Sequence, residues 1–161
     1  MKALVQRVES ARVVVASEVV GEIGPGLLAF VCAVRGDGTR EAARLAERVA
    51  GYRVFHDEAG KMNVSALDLG LPILVVSQFT LAADGKKGRR PSFDLAAPPE
   101  VARELVDAFQ RALEALGTRT AAGRFGAAMR VELVNDGPAT FLLEEAPGLP
   151  ERGGGPSQVV A

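Results

Sequence analysis

One histidine, one cysteine and two polar strand ends are the places in this chain where residue type and spacing could carry chemistry. In Ile73-Leu74-Val75-Val76-Ser77-Gln78-Phe79-Thr80-Leu81 an apolar, β-branched run passes straight into an amide, two hydroxyls and fresh backbone N–H groups. Polar groups at such a place need partners or a ligand. A second stretch, residues 131–143, repeats the arrangement, with strand-like runs on both sides of Asn135-Asp136-Gly137-Pro138. The expectation is that the two stretches meet around one ligand.

Ser77, Gln78 and Thr80 can donate or accept, and the N–H groups around Phe79 could stabilise an oxyanion. The alternative is that the hydroxyls only satisfy neighbouring strand or turn groups. Gly137-Pro138 reads most simply as a trans turn. A glycine before proline also allows unusual backbone geometry, with carbonyl oxygens aimed at a ligand and no Cβ in the way.

His56 precedes the turn Asp57-Glu58-Ala59-Gly60 and reads as a surface or turn histidine; no Gly-x-Ser-x-Gly elbow accompanies it. Cys32, in the apolar run 28–34, reads as a small core residue, and unpaired cysteine suits a reducing compartment. One His and one Cys without clustered carboxylates cannot make the usual zinc shell, so no metal is expected. Gly24-Pro25-Gly26 lacks the Lys-Ser/Thr of a phosphate-binding loop, and nothing fits a dinucleotide fingerprint. Cofactor-dependent redox and nucleotide-triphosphate chemistry are therefore disfavoured.

The formal net charge of −1 argues against sequence-blind coating of nucleic acid. A local basic site remains open. Lys86-Lys87-Gly88-Arg89-Arg90 is the one dense positive cluster, just after Thr80, and it could grip the phosphates of an RNA backbone.

These groups must be positioned by the surrounding elements. Residues 3–15 read as a strand with a bend near Ser10, followed by strands over 19–23 and 27–34. Thr39 can cap a helix whose apolar positions are Ala42, Leu45, Ala46 and Val49. Short strands follow at 53–55 and 61–65, then the strand from Ile73. The polar excursion 82–97 is long for a compact domain, as functional loops often are. Pro98-Pro99-Glu100 opens a second helix with Val101, Leu105, Phe109, Ala112, Leu113 and Leu116 as its apolar stripe, ended by Gly117. Strands at 118–122, 129–134 and 139–143 complete the pattern. The sum is an α/β domain of the α+β type, with about eight antiparallel or mixed strands and two main helices, over residues 1–145 of the 161. The Gly/Pro-rich segment 146–161 reads as a disordered tail. Apolar runs are far too short to span a membrane, and the opening residues do not form a signal peptide, so the expected location is cytoplasmic.

Taken together, Gln6-Arg7-Val8, Gly24-Pro25-Gly26-Leu27-Leu28, Gly60-Lys61-Met62-Asn63, Ser77-Gln78-Phe79-Thr80-Leu81, Gly88-Arg89-Arg90-Pro91-Ser92-Phe93, residues 120–129 and Asn135-Asp136-Gly137-Pro138-Ala139-Thr140 closely resemble the D-aminoacyl-tRNA deacylase family. The resemblance implies a hydrolase acting on D-amino acids, or achiral glycine, esterified to the 3′ end of tRNA. It implies a homodimer with composite sites at the subunit interface and no cofactor, with neither DNA nor membrane as partner. Gly137 and Pro138 would be a cis pair forming the chiral gate of the other subunit's site, with Arg7 helping to hold them. Ser77, Gln78, Phe79 and Thr80 would line the ester pocket, and Phe125 and Met129 would shape the surroundings of the terminal adenosine.

Such a gate works by exclusion. Rigid main-chain carbonyls that bind the substrate's amino group leave room for a hydrogen on the α-carbon but not for a side chain. Without a histidine base, the tRNA 2′-OH is expected to help position the water while N–H groups near Phe79 stabilise the oxyanion. Thr80 as covalent nucleophile is the alternative. A dimeric RNA-end binding module without catalysis is the competing function. Two departures from the family pattern are Ala139, where Val is common, and Ala128, where Asp often precedes the Met.

Overall fold

The computed structural model describes residues 1–85 and 89–148. Among them are eight strands, two α-helices and a 3₁₀ turn: β1 (Lys2–Val15), β2 (Glu18–Ile23), β3 (Gly26–Cys32), α1 (Thr39–Ala50), β4 (Arg53–His56), β5 (Met62–Ser65), β6 (Ile73–Ser77), the 3₁₀ turn Phe79–Ala82, α2 (Pro99–Ala115), β7 (Thr120–Ala122) and β8 (Arg130–Glu144). The expected mixed α+β architecture is present.

β1 is the pivot of the sheet. Along one edge its residues 2–8 pair antiparallel with β3 and its residues 11–15 with β2, while the other edge carries β8. β3 then pairs in parallel with β6, and β6 in parallel with β7. β4 and β5 form a separate two-stranded unit. The strong curl of the sheet brings β2 back towards β7, so closely that a Cβ on Gly21 would lie 2.4 Å from the Ala122 carbonyl oxygen. Only glycine permits that approach.

Alternation along the strands divides the core in two. Val5, Leu27, Ala29, Val31, Ile73 and Val75 face α1 and α2, while Val8, Val13, Leu28, Leu74 and Val76 fill the other face. At roughly 25 cal/mol per Å² of buried apolar area, these fully buried side chains are the main source of stability.

Three local expectations change. Helix α1 is capped by extended Gly38, whose N–H donates to Glu41 Oε2 at 2.9 Å, and Thr39 is its first helical residue. The Glu41 carboxylate thus supplies the glutamate half of a capping box, accepting from the cap residue's own N–H. On α2 the buried face is Ala102, Leu105, Val106, Phe109 and Leu113, whereas Val101 and Leu116 are exposed. At 100° per residue Val101 falls well round the helix from the centre of that face. The two expected final strands are one, β8, running through Asn135 to Ala139 by means of a bulge. The Gly137–Pro138 peptide within it is cis, the isomer that the family resemblance implies, and not the trans turn of the simpler local reading.

No described helix is long and apolar enough to cross a membrane. The expected disordered tail falls largely on residues 149–161, which lie outside the described residues.

Candidate active site

β6 presents the first polar stretch. The Gln78 N–H donates to the Val31 carbonyl at 2.8 Å, extending the parallel pairing with β3 by one step. The chain then tightens into the 3₁₀ turn, where Leu81 N–H returns to the Gln78 carbonyl at 3.2 Å and Ala83 N–H to the Thr80 carbonyl at 3.1 Å. The opening N–H groups of such a turn have no acceptor inside it, so those of Phe79 and Thr80 can serve a ligand. Ser77 and Gln78 are half-buried, and Phe79 and Thr80 are exposed. The Gln78 amide donates to the Thr80 hydroxyl. Neither a histidine nor a carboxylate accepts from that hydroxyl among the hydrogen bonds of the described residues, which leaves it without a base.

Beside this turn lies a cleft of about 650 Å³. Ser77, Gln78 and Phe79 form one part of its wall, and Phe125, Gly126 and Met129, from the β7–β8 connection, form another. The Gly123 N–H donates to the Val75 carbonyl at 2.9 Å, which ties that connection to β6. A Cβ on Gly123 would lie 2.7 Å from Met129 Sδ, so glycine is what lets the methionine side chain reach its place. The third part comes from the long excursion after the 3₁₀ turn. Its base is closed by paired Asp84 and Ser92, and its return is stitched to the end of β3 by Arg35 N–H to Leu95 O (2.9 Å) and Ala97 N–H to Ala33 O (3.1 Å). Phe93 then stands edge-to-face against Phe79, with ring centroids 5.0 Å apart.

Cys32 lies in the cleft wall with 1% of its surface exposed, and its thiol is within reach of the Phe79 carbonyl at 3.6 Å. Burial pushes its pKa up, the direction that keeps it a thiol. His56, exposed on β4, is not part of the wall. Among the described residues no group of three or more His, Cys, Asp or Glu side chains is arranged to hold a metal.

The second polar stretch is not in this cleft. Gln6 pairs with Thr140 and Val8 with Asn135, so residues 136–139 bulge out opposite Arg7 alone. The Asn135 amide spans the base of the bulge, donating to the Arg7 carbonyl at 2.8 Å and the Ala139 carbonyl at 3.2 Å. Buried Arg7 donates through Nη1 to the Val54 carbonyl, and its Nε lies 2.7 Å from Asp136 Oδ2. That N–H is not aligned on the oxygen, so the contact is ionic rather than a well-formed hydrogen bond. Gly137 and Pro138 stand exposed at the crest, while Ala139 is fully buried beneath them.

Ser77, Gln78, Phe79, Phe125 and Met129 are thus brought to one cleft, while Arg7, Gly137 and Pro138 form a separate projection and Thr80 sits on the exposed turn. The expected meeting of the two stretches does not occur within one protomer. Of the basic run, Arg89 and Arg90 are exposed, and Lys86 and Lys87 lie outside the described residues. Sequence reasoning passed over Asn135 and Asp136 as functional groups, although their polar side chains directly before Gly-Pro were a signal. It also gave Phe93 no role, although that residue closes the match over residues 88–93, and it passed over Arg35 and the α2 wall, which carry no signal.

A profile of the family described as D-Tyr-tRNA(Tyr) deacylase matches residues 4–144. The D-aminoacyl-tRNA deacylase of Halorhodospira halophila (strain DSM 244 / SL1) is 60% identical over 148 residues, covering 91% of this chain and 96% of that protein. A protein of the same description from Roseiflexus sp. (strain RS-1) is 57% identical over 146 residues, 91% of this chain and 94% of its own. Among solved structures, one titled c-Myc DNA Unwinding Element Binding Protein superposes with a TM-score of 0.85 at 39% identity, over 91% of this chain and 99% of that one. Another, titled as a probable eukaryotic D-amino acid tRNA deacylase, gives a TM-score of 0.77 over 88% and 97% of the two chains; at 16% identity it speaks for the fold alone. With near-full-length matches of this strength, the chain belongs to the D-Tyr-tRNA(Tyr) deacylase family.

Proposed function

We propose that this chain hydrolyses the ester linking a D-amino acid to the 3′ end of tRNA, in the cytoplasm, releasing free tRNA and the amino acid. The observation that carries the reading is the apolar cleft beside the Phe79–Thr80 turn, in a chain of this family. The cleft has room for a terminal nucleoside, and the turn offers N–H groups at its edge for the ester oxygen as charge develops there. No histidine lines it, so the water is positioned with the help of the substrate's own 2′-OH. No cofactor takes part.

Gly137 and Pro138 act as the chiral gate of a second copy's cleft. Their exposure at the crest of a projection outside their own cleft supports this assignment, since a group that serves its own protomer's site would line it. Main-chain carbonyls at the crest bind the amino group and leave no room for an L side chain; glycine, having none, would also enter. The active species is accordingly a homodimer, and residues 1–145 act as its single folded unit. Lys86, Lys87, Arg89 and Arg90 would add phosphate contacts.

Incubation with D-tyrosyl-tRNA and L-tyrosyl-tRNA tests the reading. Selective loss of the D ester is expected. Binding of tRNA with both esters intact would replace the enzyme by a binding module, and a chain that sediments as a monomer at micromolar concentration would remove the composite site.

A further inference from the structure

The cleft wall is predominantly apolar, built largely from residues such as Val31, Val76, Ala97, Val106 and Val131. A nucleoside can enter such a space, but a phosphodiester cannot leave water for it without a large desolvation cost. The charged links of a bound RNA end must therefore lie along the rim. Two arginines stand there. Arg35 lines the cleft from the end of β3, and its Nε donates to the Asp94 carbonyl at 2.5 Å. Arg103 projects from α2 between the lining positions Ala102 and Val106, with its guanidinium 4.7 Å above the Phe125 ring centroid.

Both arginines are exposed, and among the described residues neither guanidinium is paired with a carboxylate. Each is nonetheless held in direction, one by a main-chain carbonyl and the other by an aromatic face. A fixed, uncompensated guanidinium is suited to a phosphate, because its planar fork can address two oxygens at once. Arg12, Arg48, Arg124 and Arg130, by contrast, are engaged by carboxylates.

We infer that Arg35 and Arg103 bind the phosphates of the nucleotides just 5′ of the terminal nucleoside, and so seat the single-stranded 3′ end of the RNA in the cleft. This rests on the deacylase reading and adds to it a pair of substrate-positioning residues on two separate elements. It also predicts that Phe125 is oriented by Arg103 before substrate arrives.

The test compares two esters of the same D-amino acid in the full-length protein: D-tyrosyl-tRNA, and D-tyrosyl-adenosine, which has no phosphate. For Arg35→Gln and for Arg103→Gln, the ratio of kcat/KM on the tRNA ester to that on the adenosine ester should fall roughly three- to tenfold. The slope of log kcat/KM against log salt for the tRNA ester should become shallower by about 0.7 for each arginine removed. Arg35→Lys and Arg103→Lys should recover most of the slope, because the charge is retained. An unaltered ratio and slope, or parallel loss on both esters, would overturn the phosphate contact. If the unmodified protein cleaves neither ester, the deacylase reading itself falls, a result distinct from variants that leave the ratio in place.

Discussion

Arg7, buried on β1, places its Nε 2.7 Å from the half-exposed carboxylate of Asp136 on the β8 bulge. The pair joins the crest that carries Gly137 and Pro138 to the interior, where the same guanidinium also donates to the Val54 carbonyl. Its two halves are not equivalent, because the cation is dry and the anion is wet.

That asymmetry sets the first expectation. Asp136→Ala strands a buried guanidinium and should cost about 3–5 kcal/mol. Arg7→Met leaves a carboxylate that water can solvate and one unpaired carbonyl, for about 1–3 kcal/mol. The double variant should resemble Arg7→Met rather than the sum, since the stranded charge is gone. Urea unfolding of the three variants reads this directly, and additivity would show that the two groups are not coupled.

Thr80 offers a second test. Its hydroxyl accepts from the Gln78 amide and has no base beside it, so a nucleophilic role would have to proceed unactivated. Thr80→Ala should retain deacylation of D-tyrosyl-tRNA to within about tenfold. Complete loss in a folded variant that still binds tRNA would make the hydroxyl the nucleophile and remove the 2′-OH mechanism.

Glu114 supplies a pH dependence. The Thr120 hydroxyl donates to its carboxylate at 2.6 Å and the Gln110 amide at 3.1 Å, and these bonds to the charged form hold its pKa below the usual glutamate value. The folded value is therefore lower than the unfolded one. The contribution is complete above the unfolded pKa and disappears as pH falls through the folded pKa. Because the group is exposed, it amounts to only a few tenths of a kcal/mol. Glu114→Gln should lower the urea midpoint slightly at neutral pH, and the difference should fade as pH falls through the lowered folded pKa. A gap that persists in acid would assign the effect to packing.

Cys32 should be inert in the folded protein. Burial raises its pKa, and 1% exposure denies access. A thiol reagent in mildly alkaline buffer should modify it only after denaturation. Fast, complete labelling of the native protein would mean that the cleft wall opens readily.

Much of this molecule was legible in the chain itself. The apolar run ending at Ser77 marks where β6 surfaces, because a buried strand tolerates no unpaired amide or hydroxyl in its middle. Spacing near 3.6 located both helices, though not which side of α2 turns inward: Val101 and Leu105 are equally apolar on paper, and only packing against α1 and the sheet buries one and leaves the other exposed. Asn135-Asp136-Gly137-Pro138 carries every local mark of a turn between two strands. It is a bulge in a single strand because β1 pairs with β8 on both sides of it, at Gln6 and at Val8, and no local rule contains that partner. The cleft is more remote still from local sequence, since β3, the return of the long excursion, α2 and the β7–β8 connection must converge to enclose it. Composition and periodicity act over a few residues and decide what each segment can become; which cations reach the rim and which polar strand end faces outward follow from long-range pairing and packing, whose free energy exists only once the whole sheet has closed.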